Sequence, residues 1–128
     1  MENNNKILLL KQTKKNGGAY SLLGGRVERG EGAIQTVIRE SWEESGVVLQ
    51  ANDLDLVHVL NRVKNNQCRV TFFFRANKWK GEIVAKERHK FKDLEWHTMK
   101  ELPEQTKIAI QMVLERYKKG LSFTEIHD

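Results

Sequence analysis

The chain has 128 residues, 39% of them hydrophobic and 30% charged, with a formal net charge of +5. That size and balance fit one globular domain, expected over residues 1–128, and they exclude a disordered or membrane-embedded chain. A domain of this length buries a core without disulfide staples, and the single cysteine, Cys68, has no internal partner in any case.

The opening Met1-Glu2-Asn3-Asn4-Asn5 carries no basic leader region, and no apolar run is long enough to cross a bilayer. A cytoplasmic protein without membrane contact is the expectation. The basic residues Lys11, Lys14, Lys15, Lys86, Arg88, Lys90, Lys118 and Lys119 alternate with acids and apolar residues. They form no aromatic-interleaved stripe, so extended nucleic acid is not an expected partner. A mildly basic surface does suit a small polyphosphate.

In chain order, Lys6 to Leu10 reads as a strand, Gly17-Gly18 as a loop, and Tyr20 to Leu23 as a short extended piece ending at Gly24-Gly25. Gly32 to Ser45 has helical period, with Gly46 as a C-terminal stop. Ile34, Val37, Ile38 and Trp42 form its apolar, inward-facing side. Leu54 to Arg62 and Arg69 to Ala76 read as paired strands around Lys64-Asn65-Asn66-Gln67, and Leu94 to His97 as another strand. Cys68 beside the second of these reads as structural. Thr106 to Lys119 is a second amphipathic helix, with Ile108, Met112, Val113 and Tyr117 on one side. Strand, helix, several strands, helix predicts a mixed α/β (α+β) sandwich, its sheet between the two helices.

Chemistry concentrates on the first helix. Glu40, Glu43 and Glu44 share one helical face at spacings of three and four, where like charges repel by roughly 0.2–0.5 kcal/mol per pair. They also sit in the last turns, at the negative end of the macrodipole. Three acids so placed imply either a solvated acidic face or a hard divalent cation with oxygen ligands. The loop before the helix, Gly24-Gly25-Arg26-Val27-Glu28-Arg29-Gly30-Glu31-Gly32, favours the second, because glycines and free N–H groups at a helix start allow close approach of a phosphate or metal. Glu31 suits the positive end of the dipole, and pairing with Arg39 across the folded loop is possible by reach.

Gly25, five residues, Glu31, seven residues, then Arg39-Glu40-Ser41-Trp42-Glu43-Glu44-Ser45-Gly46-Val47 resembles the Nudix box, G-x₅-E-x₇-R-E-U-x-E-E-x-G-U, where U is a bulky aliphatic residue. Every fixed position matches; Ser41 replaces one bulky aliphatic. Leu22-Leu23-Gly24-Gly25 is similar to the family's L-P-G-G. Trp79-Lys80-Gly81-Glu82 with Glu87 resembles the W-x-G-E…E segment of the MutT-type nucleoside triphosphatase branch, and Trp96 with Leu102-Pro103 its W…L-P. The resemblance covers nearly the whole chain and implies a Nudix-like α/β/α sandwich. Family members begin with an extra strand, whereas only six residues precede Ile7 here. The sheet is therefore expected to lack its first edge strand or to have that edge covered by a partner chain, as in a homodimer.

The resemblance further implies that Glu40, Glu43, Glu44 and Glu87, with the Gly24 carbonyl, bind Mg²⁺, for which Mn²⁺ can substitute. It implies a catalytic role for Glu43 as first choice of general base, with Glu87 second, and an orienting role for Arg39. Arg26 is a candidate phosphate contact, and Gln12, Gln105 and Thr106 fall where MutT-type members touch the base. Phe72 and Phe74 share one strand face and Phe73 the other; core packing is the expected role, with base stacking by one set as the alternative. Trp42 reads as core, Trp79 and Trp96 as structural, and the histidines show no zinc spacing. The implied reaction is Mg²⁺-dependent hydrolysis of a nucleoside triphosphate, normal or oxidised, to a monophosphate and pyrophosphate. The alternatives are hydrolysis of ADP-ribose, nucleotide sugars or another nucleoside diphosphate compound, and a nucleotide sensor without turnover, a type that usually loses acids of the box.

Overall fold

The computed structural model describes residues 1–3 and 5–128; Asn4, in the opening segment, lies outside the described residues. The elements are β1 (Glu2–Asn3), β2 (Lys6–Gln12), β3 (Tyr20–Ser21), α1 (Ala33–Ser45), β4 (Leu54–Lys64), β5 (Gln67–Ala76), β6 (Phe91–Thr98), α2 (Ile108–Lys118) and β7 (Phe123–His127). The expected α+β class with two helices is present. Its strands divide into two sheets: β1, β3 and β6 all pair antiparallel with β2, while the mixed sheet has the order β5-β4-β7. Among the described residues, no helix is long and apolar enough to cross a membrane.

β2 is the keel of the first sheet. Ile7, Leu8, Leu9 and Leu10 are all buried, so the unbroken apolar run reflects burial on both faces of the strand. One side packs Ile7 and Leu9 with Tyr20 and Leu114; the other packs Leu10 with Ala85 and Phe91. Each such leucine contributes roughly 1.5–3 kcal/mol of burial. Among the described residues before β2, Glu2 and Asn3 form the two-residue strand β1, paired with Ile7 and Lys6.

The second sheet is a long hairpin with a late addition. Asn65 and Asn66 both have positive φ (51° and 61°), the geometry that turns a tight hairpin between β4 and β5. β7 lies parallel to β4, an unanticipated strand, and buried His58 ties the two together. Its Nδ1 is 3.0 Å from the Leu121 carbonyl and its Nε2 2.7 Å from the Thr124 hydroxyl.

α1 begins one residue later than the pattern predicts. The Gln35 side-chain oxygen accepts the Gly32 N–H at 3.0 Å. Gly46 ends the helix at φ 77°, a left-handed conformation that glycine adopts without strain. The expected inward face is corrected. Ile34 and Trp42 are 43% and 52% exposed, and the buried residues are Thr36, Ser41, Glu44 and Ser45. A stripe of small residues lets the helix approach closely and turns Glu44 toward the glycine loop, which hydropathy alone cannot foresee. On α2, Val113 and Leu114 are buried, whereas Ile108, expected on the apolar side, is 76% exposed at the helix start.

Thr124→Ala should leave a buried imidazole nitrogen without its partner and lower unfolding free energy by about 1–3 kcal/mol. Urea denaturation checks this, with an unchanged m value expected.

Candidate active site

The loop from Gly24 to Glu31 folds back along α1, and Arg39 holds it there. Its Nε and Nη2 donate to the two oxygens of Glu31 at 2.8 and 3.0 Å, a bidentate pair. Nη2 also donates to the Arg26 carbonyl at 3.2 Å, while Nη1 donates to Glu40 at 2.9 Å and Glu43 at 3.2 Å. Glu31 is further held by the Thr36 hydroxyl at 2.8 Å. The Arg39 hydrogen bonds come first among the causes that bring the Glu31 carboxyl down to about 2, and the same network keeps Arg39 charged at all ordinary pH.

Glu40 and Glu43 on this helix face, and Glu87 from the segment between β5 and β6, each bring a carboxylate oxygen within 4.8 Å of the others. Glu44 lies beneath them, buried, and accepts the Gly24 N–H at 2.9 Å. Burial pushes its carboxyl up to about 8, the Gly24 hydrogen bond opposes this, and the Glu40 and Glu87 carboxylates add to it. Gly25 leaves room for the Glu40 carboxylate: a Cβ there would overlap it and push that side-chain end aside. This donor set fits a hard divalent cation, since clustered oxygens that repel one another, with one acid driven toward its neutral form, gain most from a positive ion.

A cavity of about 610 Å³ opens beside Gly24 and Gly25 and reaches Thr36, Val37 and Ser41 of α1, the aromatic run Phe72 to Phe74 of β5, and Lys107 and Ile108 at the start of α2. Arg62 and Arg69, directly opposite each other across the hairpin, also line it. The sequence points to this lining only through the hairpin register, which sets those two arginines face to face. Ser41, the departure from the box, is buried at the cavity wall.

The structure brings together Gly24, Arg39, Glu40, Glu43, Glu44 and Glu87. Arg26 is exposed in the loop and contributes its carbonyl to Arg39. Gln12, Gln105 and Thr106 do not line the cavity. Gln12 lies at the end of β2, where the register with β6 shifts. The Gln105 carbonyl accepts the Tyr20 N–H at 3.0 Å, and Thr106 is buried beside it. Glu28 is 68% exposed at its side chain and lies 3.6 Å from Arg39. Trp79 and Trp96 stack at 5.9 Å, in keeping with a structural role. Trp42, read as core, instead lies outside against Lys86, whose ammonium is 3.7 Å from the ring centroid.

The family model described as "NUDIX domain" matches residues 1–116. No curated protein matches the chain significantly. Among solved structures, a MutT NUDIX hydrolase from Burkholderia pseudomallei is 27% identical, with a TM-score of 0.79 and 90% of each chain covered. A MutT protein from Bacillus halodurans is 22% identical, with a TM-score of 0.75, 97% of this chain and 82% of that one covered. An ADP-ribose pyrophosphatase from Streptococcus suis is 20% identical, with a TM-score of 0.61, 99% of this chain and 92% of that one covered.

The raised Glu44 carboxyl makes the metal-free protein sensitive to pH. Between the ordinary value of 4.5 and about 8 the folded state holds a proton that the unfolded state has lost, so stability should fall as pH rises through that window. Glu31, depressed to about 2, acts only below 4.5 and with the opposite sign. Melting temperatures in chelator should therefore decline from pH 5 to 8.5, and Glu44→Gln should flatten that slope.

Proposed function

This chain belongs to the Nudix family and is a pyrophosphohydrolase; within that activity we propose that it cuts a nucleoside triphosphate, normal or oxidised, to a nucleoside monophosphate and pyrophosphate. The observation that carries the reading is the carboxylate cluster of Glu40, Glu43 and Glu87 with buried Glu44, joined through Gly24 and Gly25, which touch Glu44 and Glu40, to a cavity of about 610 Å³ that those glycines line. Nudix hydrolases act with a divalent metal on small-molecule nucleotides. Mg²⁺, or Mn²⁺ in its place, is the proposed cation. Glu40, Glu43, Glu44 and Glu87 would hold it, with the Gly24 carbonyl.

When bound, such a cation neutralises charge on phosphoryl oxygens and makes water a stronger acid. The chain's own groups do the rest. Glu43, at 37% exposure the most open acid that Arg39 touches on α1, accepts the proton of the attacking water, with Glu87 as the second choice for that role. The water oxygen forms the new bond to phosphorus, and the pyrophosphate oxygen leaves with the electron pair of the broken bond. Arg39 orients Glu43 and Glu40 and ties the loop to the helix. Arg26 is a phosphate contact at the loop's outer side. The cavity's aromatic run accepts the base by stacking, and Lys107 lies at the same opening. Gln105 and Thr106 act on the base side only through the Tyr20 pairing that places the start of α2, while Gln12 donates its backbone N–H to the Ala19 carbonyl beside it.

The second reading is hydrolysis of ADP-ribose or a nucleotide sugar. The specific feature in its favour is Arg62 and Arg69 in the lining of the same cavity, two basic side chains suited to a second phosphate or sugar-phosphate, with Arg62 also paired to Asp128 at 2.6 Å. Products separate the two readings: pyrophosphate with a monophosphate in the first, two phosphomonoesters and no pyrophosphate in the second.

With the best nucleotide at saturating Mg²⁺, Glu43→Gln or Glu44→Gln should lower kcat by about 10²–10⁴-fold. Glu28→Gln should stay within about threefold, as surface changes cost little. Equal, mild losses in all three would reduce the helix to a solvated acidic face.

A further inference from the structure

Glu87 reaches the acid cluster from a segment whose course is set by α1 itself. Val48 and Lys80 exchange backbone hydrogen bonds at 2.9 and 3.1 Å. The Val84 N–H donates to the Ser45 carbonyl at 2.9 Å and the Lys86 N–H to the Glu44 carbonyl at 3.0 Å. Those carbonyls belong to the last turn of α1, where the helix has no partner of its own to offer. Ala85 is buried with Leu10 and Phe91. On the far side, the Asn16 amide donates to the carbonyls of Lys90 and His89 at 2.9 and 3.3 Å. Between these anchors the Lys86 ammonium sits over the exposed Trp42 ring, 3.7 Å from its centroid.

We propose that the Lys86–Trp42 stack is a positioning device for Glu87, holding the segment so that its carboxylate stays with Glu40 and Glu43. The proposal rests on reading that cluster as the cation site. Lys86 and Glu87 are consecutive, so pinning one side chain fixes the backbone from which the other projects. Glu40 and Glu43 repel Glu87 whenever no cation is present, and the Lys90 ammonium 3.1 Å from its carboxylate opposes this from the same segment, so the Lys86 contact adds a hold on the backbone itself. Trp42 also explains itself on this account: its ring lies outside the helix's buried stripe, on the side where Lys86 passes. Neither side chain touches a reacting atom, so both are positioning residues.

Charge alone predicts the opposite of positioning, which makes the test decisive. A lysine near a dication site weakens cation binding through space, so removing its charge should tighten binding if electrostatics is all it does. Removing a positioning contact should loosen it. Titration calorimetry with Mn²⁺ alone, on the full chain, compares the wild type with Lys86→Met, Lys86→Arg, Trp42→Leu, Glu87→Gln, Glu40→Gln and the double variant Lys86→Met/Glu87→Gln. Lys86→Met and Trp42→Leu should each weaken Mn²⁺ binding by roughly two- to fivefold, the scale of an exposed cation–π contact. Lys86→Arg, whose guanidinium also stacks on rings, should restore it. The double variant should bind no more weakly than Glu87→Gln alone, since the lysine acts through that glutamate. Equal or tighter binding by Lys86→Met overturns the proposal, as does a loss that adds in full to that of Glu87→Gln. Wild-type binding by Glu87→Gln with loss in Glu40→Gln also overturns it but leaves the cation site standing; wild-type binding in both removes the site.

Discussion

Arg39 is the contact on which the rest of the arrangement depends. One guanidinium reaches Glu31, Glu40, Glu43 and the Arg26 carbonyl, and so joins the glycine loop to the helix that carries the acids. A planar fork with five donors can do this; an ammonium cannot. Without it, Glu40 and Glu43 would face each other uncompensated near the negative end of α1, and the loop from Arg26 to Glu31 would lose its bidentate tie to the helix, keeping the Thr36 hydroxyl on Glu31. The close approach at Gly25, where even a methyl group would overlap Glu40, is the steric counterpart of the same contact.

The two sheets serve this centre from opposite ends. β2, buried on both sides, fixes Tyr20 and hence the backbone bonds from Tyr20 to Gln105 and Lys107 that place the start of α2. The hairpin of β4 and β5 supplies the cavity's aromatic and arginine lining. Glu87 is brought in by a third route, along the C-terminal turn of α1, so the helix carries three of the acids and also templates the segment bearing the fourth.

Much of this was legible from local pattern. The period and glycine stop of α1, the Asn65-Asn66 hairpin and the acids at spacings of three and four are local features, and the structure places them within a residue or two of the expectation. What was not legible depends on partners far along the chain. β7 exists because Thr124 meets His58, 66 positions earlier. The inward turn of Glu44 follows from the Gly24 N–H, not from hydropathy, and it leaves Trp42 outside, where the apolar pattern would have buried it. Gln12, Gln105 and Thr106 came from a resemblance in position, and in this chain they gather around the strand pairing of Tyr20, away from the cavity wall.

The central claim is that Arg39 shapes the acids into a cation-dependent hydrolytic site. Its most direct test is Arg39→Lys, which keeps the charge and removes the bidentate geometry. Nucleotide hydrolysis measured against Mg²⁺ concentration should show kcat/KM lowered by about 10–100-fold, the usual cost of losing a group that orients metal ligands, with half-saturation moved to higher Mg²⁺. Wild-type rates and an unchanged Mg²⁺ dependence in Arg39→Lys would contradict the account.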